Sequence, residues 1–507
     1  MLPQKEIYLQ MSESSVQQKP LNFTYLVLLL PISLLFQLIN LVGTSSQWPG
    51  TGFLFRSDDR LNDLLNPIRS ISVPNPYVGP RIFFSPPGMV SLLKVISFPG
   101  QWFGVIILLV ACISLIYKFT KSLSTSYSNS ITIVSLLGIS YPVLFALDRG
   151  SYTLWIALLL ILTISNNQKR PLKAALYFGI ALSLGFAIAP LALILLLRYE
   201  STFLTWIKQG AVLFATVFAI TSIGLLDLRM SPLSMWHNIQ RNLATYNEVM
   251  LHTEWGAMYS HSFFNGMRSS CAFISTAESY SEYINPLVQI RHCSESMQSL
   301  ISVSWIALVL SLIIVVFSRC HFFYRSLLLV SSFLFFTPVS ADYRLCFLLL
   351  PIVFLRGSVR ERRTTRLSIY VVAFTFLPRT LNVLWMTRFS ETTILFSNIS
   401  GSLAILTLFT ISFINNVKTL SLKPWAPIID AESPMSAAGQ WTQKSTRHFF
   451  VYFLLPCLSF AVLVVPMDDP ALSIVRLSYF LTVAILLFSF GVKRKSLGWH
   501  VSEPQRA

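Results

Sequence analysis

Long apolar runs recur along most of this chain, and they limit its possible folds more than any other feature. Runs of about 15 to 22 residues follow one another from Leu21 to Phe490, and 54% of the 507 residues are hydrophobic while only 12% are charged. A helix of about 20 apolar residues is long enough to cross a bilayer. The pattern therefore predicts an all-α polytopic membrane protein with about 12 to 14 transmembrane segments.

The positive charge of the chain is concentrated between the apolar runs. The net charge is +17, and Lys and Arg gather in short segments such as residues 356–366 and 493–495. Basic loops mark the cytoplasmic side of membrane proteins, so this pattern favours membrane topology over a nucleic-acid surface. The predicted parts are a cytoplasmic tail, a transmembrane core, a cytoplasmic linker, a helix pair and a second tail, at residues 1–20, 21–415, 416–448, 449–491 and 492–507.

The apolar run at residues 172–197 decides the topology of everything that follows it. Counted as one crossing, it would place the arginine-rich segment 356–366 outside the cell. A break near Pro190 into a rising and a descending helix restores cytoplasmic basic loops, because proline removes a backbone donor. The run has only 26 residues, too few for two full crossings of a core about 30 Å thick. We therefore expect its turn to lie below the outer surface.

With this hairpin, four polar segments face the same, extracytoplasmic side. Two of them are long outer loops, and the full set is residues 43–101, 148–150, 227–299 and 340–344. Cys271 and Cys293 share the loop 227–299, so they are the pair that could form an external disulfide; their spacing leaves the pairing open.

The chemistry available on this face is acid and base. The sequence contains no GxxxxGK[ST], GxGxxG, HExxH or CxxC motif, which removes most support for nucleotide and zinc chemistry. A carboxylate can take a proton from a sugar hydroxyl, and the planar guanidinium of arginine suits a phosphate leaving group. Aromatic side chains suit sugar faces. Together these are the components of a site for lipid-linked glycosyl transfer.

Three aspartates stand close together in the first outer loop. Asp58 and Asp59 lie between Arg56 and Arg60, so a solvated salt-bridge cluster is an alternative to a catalytic role. Asp63 lies among leucines in a segment that could form an interfacial helix. We predict Asp63 as the general base, with Asp59 as its nearest rival.

The remaining candidates for donor-phosphate or substrate binding lie in all four outer segments. Asp148 and Arg149 could instead form only a tight turn or a self-neutralising pair, and His261 alone could be a surface histidine. The segment 342–344 lies between two apolar runs, 326–339 and 345–355, which are both predicted to be membrane helices. An unpaired charge there costs several kcal/mol. The full set of candidates is Arg81, Tyr77, Asp148, Arg149, His261, Asp342, Tyr343 and Arg344.

Several short elements occur in an order that resembles a known family. They are residues 59–65 (DRLNDLL), 75–77 (NPY), 84–87 (FSPP), 147–151 (LDRGS), the run 179–197, residues 261–264 (HSFF) and 340–344 (SADYR). This set is similar to the polyprenyl-phosphate-mannose-dependent mannosyltransferases of glycosyltransferase family 87, in the GT-C superfamily. Two departures stand out: Ser151 replaces the usual Asn, and Ala187 and Ile188 stand where the family often has a Lys before the proline of its hairpin.

The resemblance implies a GT-C-like helical bundle that transfers a mannose-like hexose from a polyprenyl-phosphate donor to a lipid or glycan acceptor. It also implies inversion at the anomeric carbon, no cofactor or obligatory metal, and a place in a bacterial plasma membrane with the active site outside. In this scheme Asp63 acts as base, while Arg344, Arg149 or Arg81 stabilises the departing phosphate. A flippase for lipid-linked oligosaccharides and an O-antigen ligase or polymerase are the alternatives.

Overall fold

The computed structural model describes residues 61–71, 75–78, 85–123, 140–197, 203–252, 256, 260–278, 286–355, 363–376 and 391–421. Across these ranges the chain is helical and contains no strand, although two isolated β-bridges join Ser260 to Ala341 and Ser318 to Leu420. The all-helical prediction is therefore confirmed for the described residues. Asp58, Asp59, Arg81, the first predicted helix at residues 23–42, most of the linker and the C-terminal helix pair lie outside them.

Fifteen α-helices and two 3₁₀ helices lie in the described ranges. The α-helices are α1 Asn62–Ser70, α2 Pro87–Ser97, α3 Gln101–Leu123, α4 Tyr141–Arg149, α5 Thr153–Asn167, α6 Pro171–Leu184, α7 Phe203–Leu228, α8 Pro232–His252, α9 Phe263–Glu278, α10 Pro286–Ser296, α11 Ser299–Phe317, α12 Phe322–Phe336, α13 Leu349–Ile352, α14 Arg363–Thr375 and α15 Glu391–Val417. The 3₁₀ helices are Phe186–Leu196 and Asp342–Leu348.

Among the described residues, three helices are long and apolar enough to cross a membrane. They are Leu204–Leu228 within α7, Ser299–Phe317 as α11 and Asn398–Val417 within α15, and several shorter apolar helices accompany them. The described helices pack around a shared buried core. At its centre is α12, in which all 15 residues are buried. A helix that is apolar on every side is typical of a bundle centre or a membrane span, and α12 leads directly into the polar segment at residues 340–344.

The run at residues 172–197 does turn back on itself, but it breaks at Gly185 and not near Pro190. Helix α6 ends at Leu184, Gly185 is extended, and Pro190 lies inside the 3₁₀ helix Phe186–Leu196. The Gly185 N–H caps the carbonyls of Ala181 and Leu182 at 3.2 Å. A Cβ at this residue would lie 3.0 Å from Ile156 Cδ1, so close packing against α5 favours glycine at the turn. A single proline costs a 3₁₀ helix one donor and leaves the rest of its ladder intact.

The two limbs of this hairpin match in length. Fourteen residues of α-helix rise about 21 Å, and eleven residues of 3₁₀ helix rise about 22 Å because the 3₁₀ rise per residue is larger. The side-chain amide of Asn167, at the end of α5, donates to the carbonyls of Ile194 and Leu195 at 3.1 Å and so closes the hairpin. Both limbs are shorter than a bilayer core of about 30 Å.

Two further sequence expectations need correction. The run 345–355 was expected to be a membrane helix, but it is a 3₁₀ helix followed by the single turn α13, too short to span a bilayer. The described parts of the two long polar segments contain helices, since α1 and α2 lie in residues 43–101, and α8, α9 and α10 lie in residues 227–299.

Cys271 and Cys293 form a disulfide whose Cα atoms are 6.0 Å apart. The bond joins α9 to α10, and Ala272 and Ile290 are buried beside it. Sequence left this pairing open, and the fold settles it by bringing two helices of the second outer segment side by side.

Candidate functional site

Asp63 lies in the first turn of α1, which confirms that its leucine-rich segment is a helix. Leu61, just before the helix, takes the left-handed conformation with φ of 56°, and its carbonyl accepts the N–H groups of Leu64 and Leu65. Leu64 is buried and fixes α1 against the bundle. An acidic residue is favourable at a helix N-terminus because the unpaired N–H groups there carry partial positive charge.

Arg149 pairs with Asp63 across 86 residues of sequence. It is the last residue of α4, and its Nη2 donates to Asp63 Oδ1 at 3.0 Å. The two side chains keep 20% and 24% of their surface exposed, so this pair is partly exposed and is not sealed inside the bundle. The sequence predicted both residues separately, and the fold joins them.

The pKa of the Asp63 carboxyl is raised from its ordinary value of 3.8 to about 7, because burial disfavours the charged form. The nearby Arg149 acts in the opposite direction, since it favours the carboxylate. A carboxyl that titrates near neutral pH is suited to general-base chemistry, because it can both lose and accept a proton under physiological conditions.

Gly150 allows the end of α4 to pack closely against α1, and so allows Arg149 to reach Asp63. Its φ is +70°, and a Cβ at this position would lie 2.8 Å from the Leu64 Cβ and 3.1 Å from the Leu61 Cα. Both contacts are with atoms that cannot swing aside. The glycine that follows Arg149 is therefore required by backbone conformation and by close packing against α1.

We expect Gly150→Ala to separate Asp63 from Arg149. The added methyl group must push α1 away from the end of α4, and the left-handed backbone adds about 1 kcal/mol of strain. Any activity that depends on this pair should fall at least tenfold, while Gly210→Ala, where a Cβ meets nothing within 4 Å, should leave activity unchanged. Steady-state kinetics of the two purified variants test this, and equal activity of both would contradict the packing argument.

Three tyrosines and Arg344 share the space around Asp63. Tyr152 precedes α5, Tyr246 lies on α8, and Tyr343 and Arg344 lie on the second 3₁₀ helix; all four are half-buried. Asp63 and Arg344 both act electrostatically on each of the three phenols. Burial raises the pKa of Tyr246 to about 12 and raises the pKa values of Tyr152 and Tyr343. The phenols therefore stay protonated and act as neutral hydrogen-bonding groups.

Arg344 is the second cation of this cluster, and its described contacts are with a carbonyl and an aromatic ring. Its Nη1 donates to the Val339 carbonyl at 3.1 Å, and its guanidinium carbon lies 5.9 Å from the Phe333 ring centroid. In the part of the chain that the structure describes, no carboxylate lies within ion-pair distance of it. A half-exposed guanidinium of this kind can accept an anionic ligand without first breaking an ion pair.

His261 and Asp342 are also brought together, but away from solvent. The Asp342 side chain is fully buried, and Oδ1 lies 2.6 Å from His261 Nδ1. Tyr141 Oη donates to Asp342 Oδ2, also at 2.6 Å. Both residues were predicted to bind substrate, and in this conformation they are enclosed and hold neighbouring elements in place.

Tyr77 is buried as well, with 1% of its surface exposed. Its hydroxyl donates to the Ser85 carbonyl at 2.8 Å, and its own carbonyl accepts hydrogen bonds from Arg241 and Asn242 on α8. We predicted a sugar-facing ring here, whereas the structure gives Tyr77 the role of anchoring α8 beside the site.

The other predicted residues are less fully described. Asp59 and Arg81 lie outside the described residues, and Asp148 belongs to the last turn of α4. Sequence reasoning missed Tyr141 and Tyr152. Tyr152 follows the turn at Gly150 and could have been found by its position, but nothing local marks Tyr141, whose partner Asp342 is 201 residues away. In the described ranges, no group of three or more His, Cys, Asp or Glu could hold a metal ion.

Comparisons of the chain with protein-family models, with curated proteins and with solved structures found no match.

Proposed function

We propose that this protein is a membrane glycosyltransferase that moves a hexose from a polyprenyl-phosphate donor to a lipid or glycan acceptor. The environment of the Asp63 carboxyl carries the proposal. This carboxyl lies 3.0 Å from Arg149, its side chain is partly exposed, and its pKa is raised to about 7. A general base needs this combination of access and near-neutral titration. The similarity of its sequence elements to glycosyltransferase family 87 supports the same choice.

The proposed step needs only this chain's side chains and the two substrates. Asp63 accepts the proton of an acceptor hydroxyl while that oxygen forms a bond to the anomeric carbon from the face opposite the phosphate. The bond between the anomeric carbon and the phosphate oxygen breaks, and the electron pair leaves with the polyprenyl phosphate. Arg344 stabilises the charge on this leaving group, because a guanidinium pairs well with phosphate oxygens. Single displacement of this kind inverts the anomeric carbon.

The remaining cluster residues support binding of a polar substrate. The Tyr152, Tyr246 and Tyr343 phenols offer hydroxyl groups and aromatic faces to a sugar, and Arg149 orients Asp63. The guanidinium of Arg344 is matched to a single phosphate group.

An extracytoplasmic position for this site has two supports. The disulfide between Cys271 and Cys293 lies in the same outer segment as Tyr246, and disulfides persist in oxidising compartments. Lys169 and Arg170 follow the C-terminal end of α5, whereas Tyr152 lies at its N-terminal end, about 22 Å away along a 15-residue helix. Basic residues at the end opposite the site agree with a cytoplasmic location for that end. We propose a polytopic GT-C-like bundle in a plasma membrane.

The proposed role of Asp63 predicts an acidic limb in the pH profile. The base works only when it is deprotonated, and its pKa is raised, so kcat/KM should rise about tenfold per pH unit below pH 7 and level off above it. Rates measured between pH 5 and 9 would test this. A limb centred near pH 4 would mean that the reacting carboxyl is unperturbed and that Asp63 is not the base.

Transfer itself is tested with purified protein reconstituted in sealed proteoliposomes. Radiolabelled sugar on polyprenyl phosphate is mixed with a crude lipid or glycan extract, and labelled product is separated from donor. Label on a new acceptor supports the proposal. Movement of the lipid-linked sugar across the bilayer without transfer would instead favour a flippase, and transfer only from a diphosphate-linked glycan would favour a ligase.

A further inference from the structure

A buried cluster of side chains lies where the two segments that present the arginines of the site begin. Asp342 is its centre, and its two oxygens are held by Tyr141 and His261 at 2.6 Å each. Asp342 is fully buried and Tyr141 is 2% exposed. Buried hydrogen bonds to a carboxylate are strong and directional, so this cluster fixes the relative positions of the elements that supply it.

Helix α4 and the second 3₁₀ helix, which carry Arg149 and Arg344, both begin at this cluster. Tyr141 is the first residue of α4, and Arg149 is the last residue of the same helix. Asp342 is the first residue of the second 3₁₀ helix, and Arg344 is the third. The hydrogen bond between Tyr141 and Asp342 therefore ties together the starting points of the two segments that present the arginines.

Stacked rings reinforce this tie along the same path. Phe145 lies one turn along α4 and stacks on Tyr141 with a centroid separation of 5.6 Å. The other side of the path continues to Tyr343, whose ring stacks on Phe145 at 5.9 Å. Tyr343 is half-buried in the cluster around Asp63. Tyr343 therefore brings the buried network into direct side-chain contact with the cluster around Asp63.

Helix α15 packs against the side chain of His261. A Cβ at Gly401 would coincide with the imidazole ring, so the ring of His261 rests against the backbone of that helix. The backbone N–H of His261 also donates to the Ser340 carbonyl, beside the antiparallel bridge between Ser260 and Ala341. Through His261, α15 sets the position of Asp342 from a point that is remote from the reacting groups.

We propose that Tyr141, Asp342, His261 and Gly401 form a positioning network that holds Arg149 and Arg344 in register with Asp63. Asp342 and His261 act through the elements they hold and do not touch the sugar or the phosphate. The proposal rests on the proposed glycosyl transfer. It assigns Tyr141 and Gly401, which have no other role in the reaction, to positioning of the reacting groups. A displacement of about 1 Å in such groups can lower a rate by about 100-fold.

The test compares two tyrosines that differ mainly in location. Tyr141→Phe removes a buried hydroxyl that is hydrogen-bonded to Asp342, and Tyr324→Phe removes a buried hydroxyl that is hydrogen-bonded to Thr364 and Thr365 at 2.6 and 2.7 Å. Tyr324 lies at the start of α12, away from the site. Loss of either hydrogen bond should lower stability by a similar amount, so thermal stability serves as the matched baseline.

We expect Tyr141→Phe to lower kcat about 10- to 100-fold with KM changed less than about threefold, because substrate binding survives while alignment is lost. Tyr324→Phe should keep kcat within about twofold of wild type. Gly401→Ala should reproduce the Tyr141→Phe result by displacing His261, with Gly210→Ala as its control. The double variant Tyr141→Phe, Gly401→Ala should lose little more than either single variant, since both break one network.

Hydrogen exchange supplies a readout that does not depend on sugar transfer. In full-length protein, Tyr141→Phe and Gly401→Ala should both accelerate exchange in peptides covering residues 141–149 and 342–348, and Tyr324→Phe should not. Unchanged exchange in those peptides, or an equal loss of kcat in the Tyr141 and Tyr324 variants, would overturn the network. If wild-type protein transfers no sugar but the exchange pattern is found, the proposed function fails and the structural link alone survives.

Discussion

Replacing Asp63 with asparagine should reduce glycosyl transfer by about 100- to 10,000-fold while the protein stays folded. Asparagine has nearly the same shape, and its side-chain oxygen can still accept the hydrogen bond from Arg149. What it cannot do is accept the proton of the acceptor hydroxyl. The measurement is kcat of the purified variant with radiolabelled donor, and wild-type turnover would transfer the role of base to another residue such as Asp59.

Stability and binding separate this loss of chemistry from a loss of structure. The pKa of Asp63 is raised on folding, so above about pH 7 the wild-type protein carries a charge that the fold disfavours. The neutral variant should therefore melt at the same temperature as wild type or higher at pH 8. Its affinity for polyprenyl phosphate should also be unchanged, because the phosphate is assigned to Arg344.

Asp227 provides a matched control for Asp63. It forms an ion pair with Lys94 at 2.9 Å, and its side chain is 35% exposed, which is close to the geometry of Asp63 with Arg149. Asp227→Asn changes the same atoms in an ion pair that joins α2 and α7 outside the proposed site. It should retain transfer within about twofold of wild type, since partly exposed pairs contribute about 1 kcal/mol or less. An equal loss in both variants would indicate a general effect of removing acidic residues.

Replacing Arg344 with glutamine should weaken the binding of polyprenyl phosphate by about 10- to 150-fold, the equivalent of the 1.5 to 3 kcal/mol typical of a hydrogen bond to a charged group. The affinity of Arg344→Lys for polyprenyl phosphate should fall between those of wild type and Arg344→Gln, because lysine keeps the charge but lacks the planar pair of donors. Binding is measured with purified protein and polyprenyl phosphate alone, so the result does not depend on the sugar or the acceptor.

Arg291 is the control for this prediction. It is 73% exposed and pairs with Glu295 one turn away on α10, so Arg291→Gln should leave binding unchanged. Salt provides a second check, since the wild-type affinity should fall as ionic strength rises and the affinity of Arg344→Gln should fall less. Wild-type affinity in Arg344→Gln would assign the phosphate to another cation and remove Arg344 from the mechanism.

Much of the fold was predictable because it depends on local patterns. Apolar runs of membrane length predicted helices at α3, α5, α7, α11 and α15, and charge balance between the runs predicted that residues 172–197 must turn back. The leucines beside Asp63 indicated that its segment could form a helix, and α1 lies there. Each of these inferences uses residues within one or two turns of each other, or a rule that sums over short loops.

The errors arose where packing decides the backbone. Proline was chosen as the breaker of the hairpin, but α6 ends at Gly185 because that is where the chain passes closely against Ile156 on α5. The run 345–355 has the composition of a membrane helix, and burial on all sides permits a 3₁₀ conformation there instead. Composition records how apolar a segment is, whereas neighbouring helices determine which helical conformation it takes.

The sequence by itself determined the class of the protein, the identity of its candidate acid, and the set of outer segments in which partners for that acid had to lie. Only the tertiary structure decided which partners meet: Asp63 with Arg149 across 86 residues, and Asp342 with Tyr141 across 201. It also decided that the Asp63 side chain is partly exposed while that of Asp342 is buried, and that Cys271 and Cys293 pair. The physical reason is that helix formation depends on neighbours in sequence, whereas burial, pKa and ion pairing depend on distances in space, which no local pattern contains.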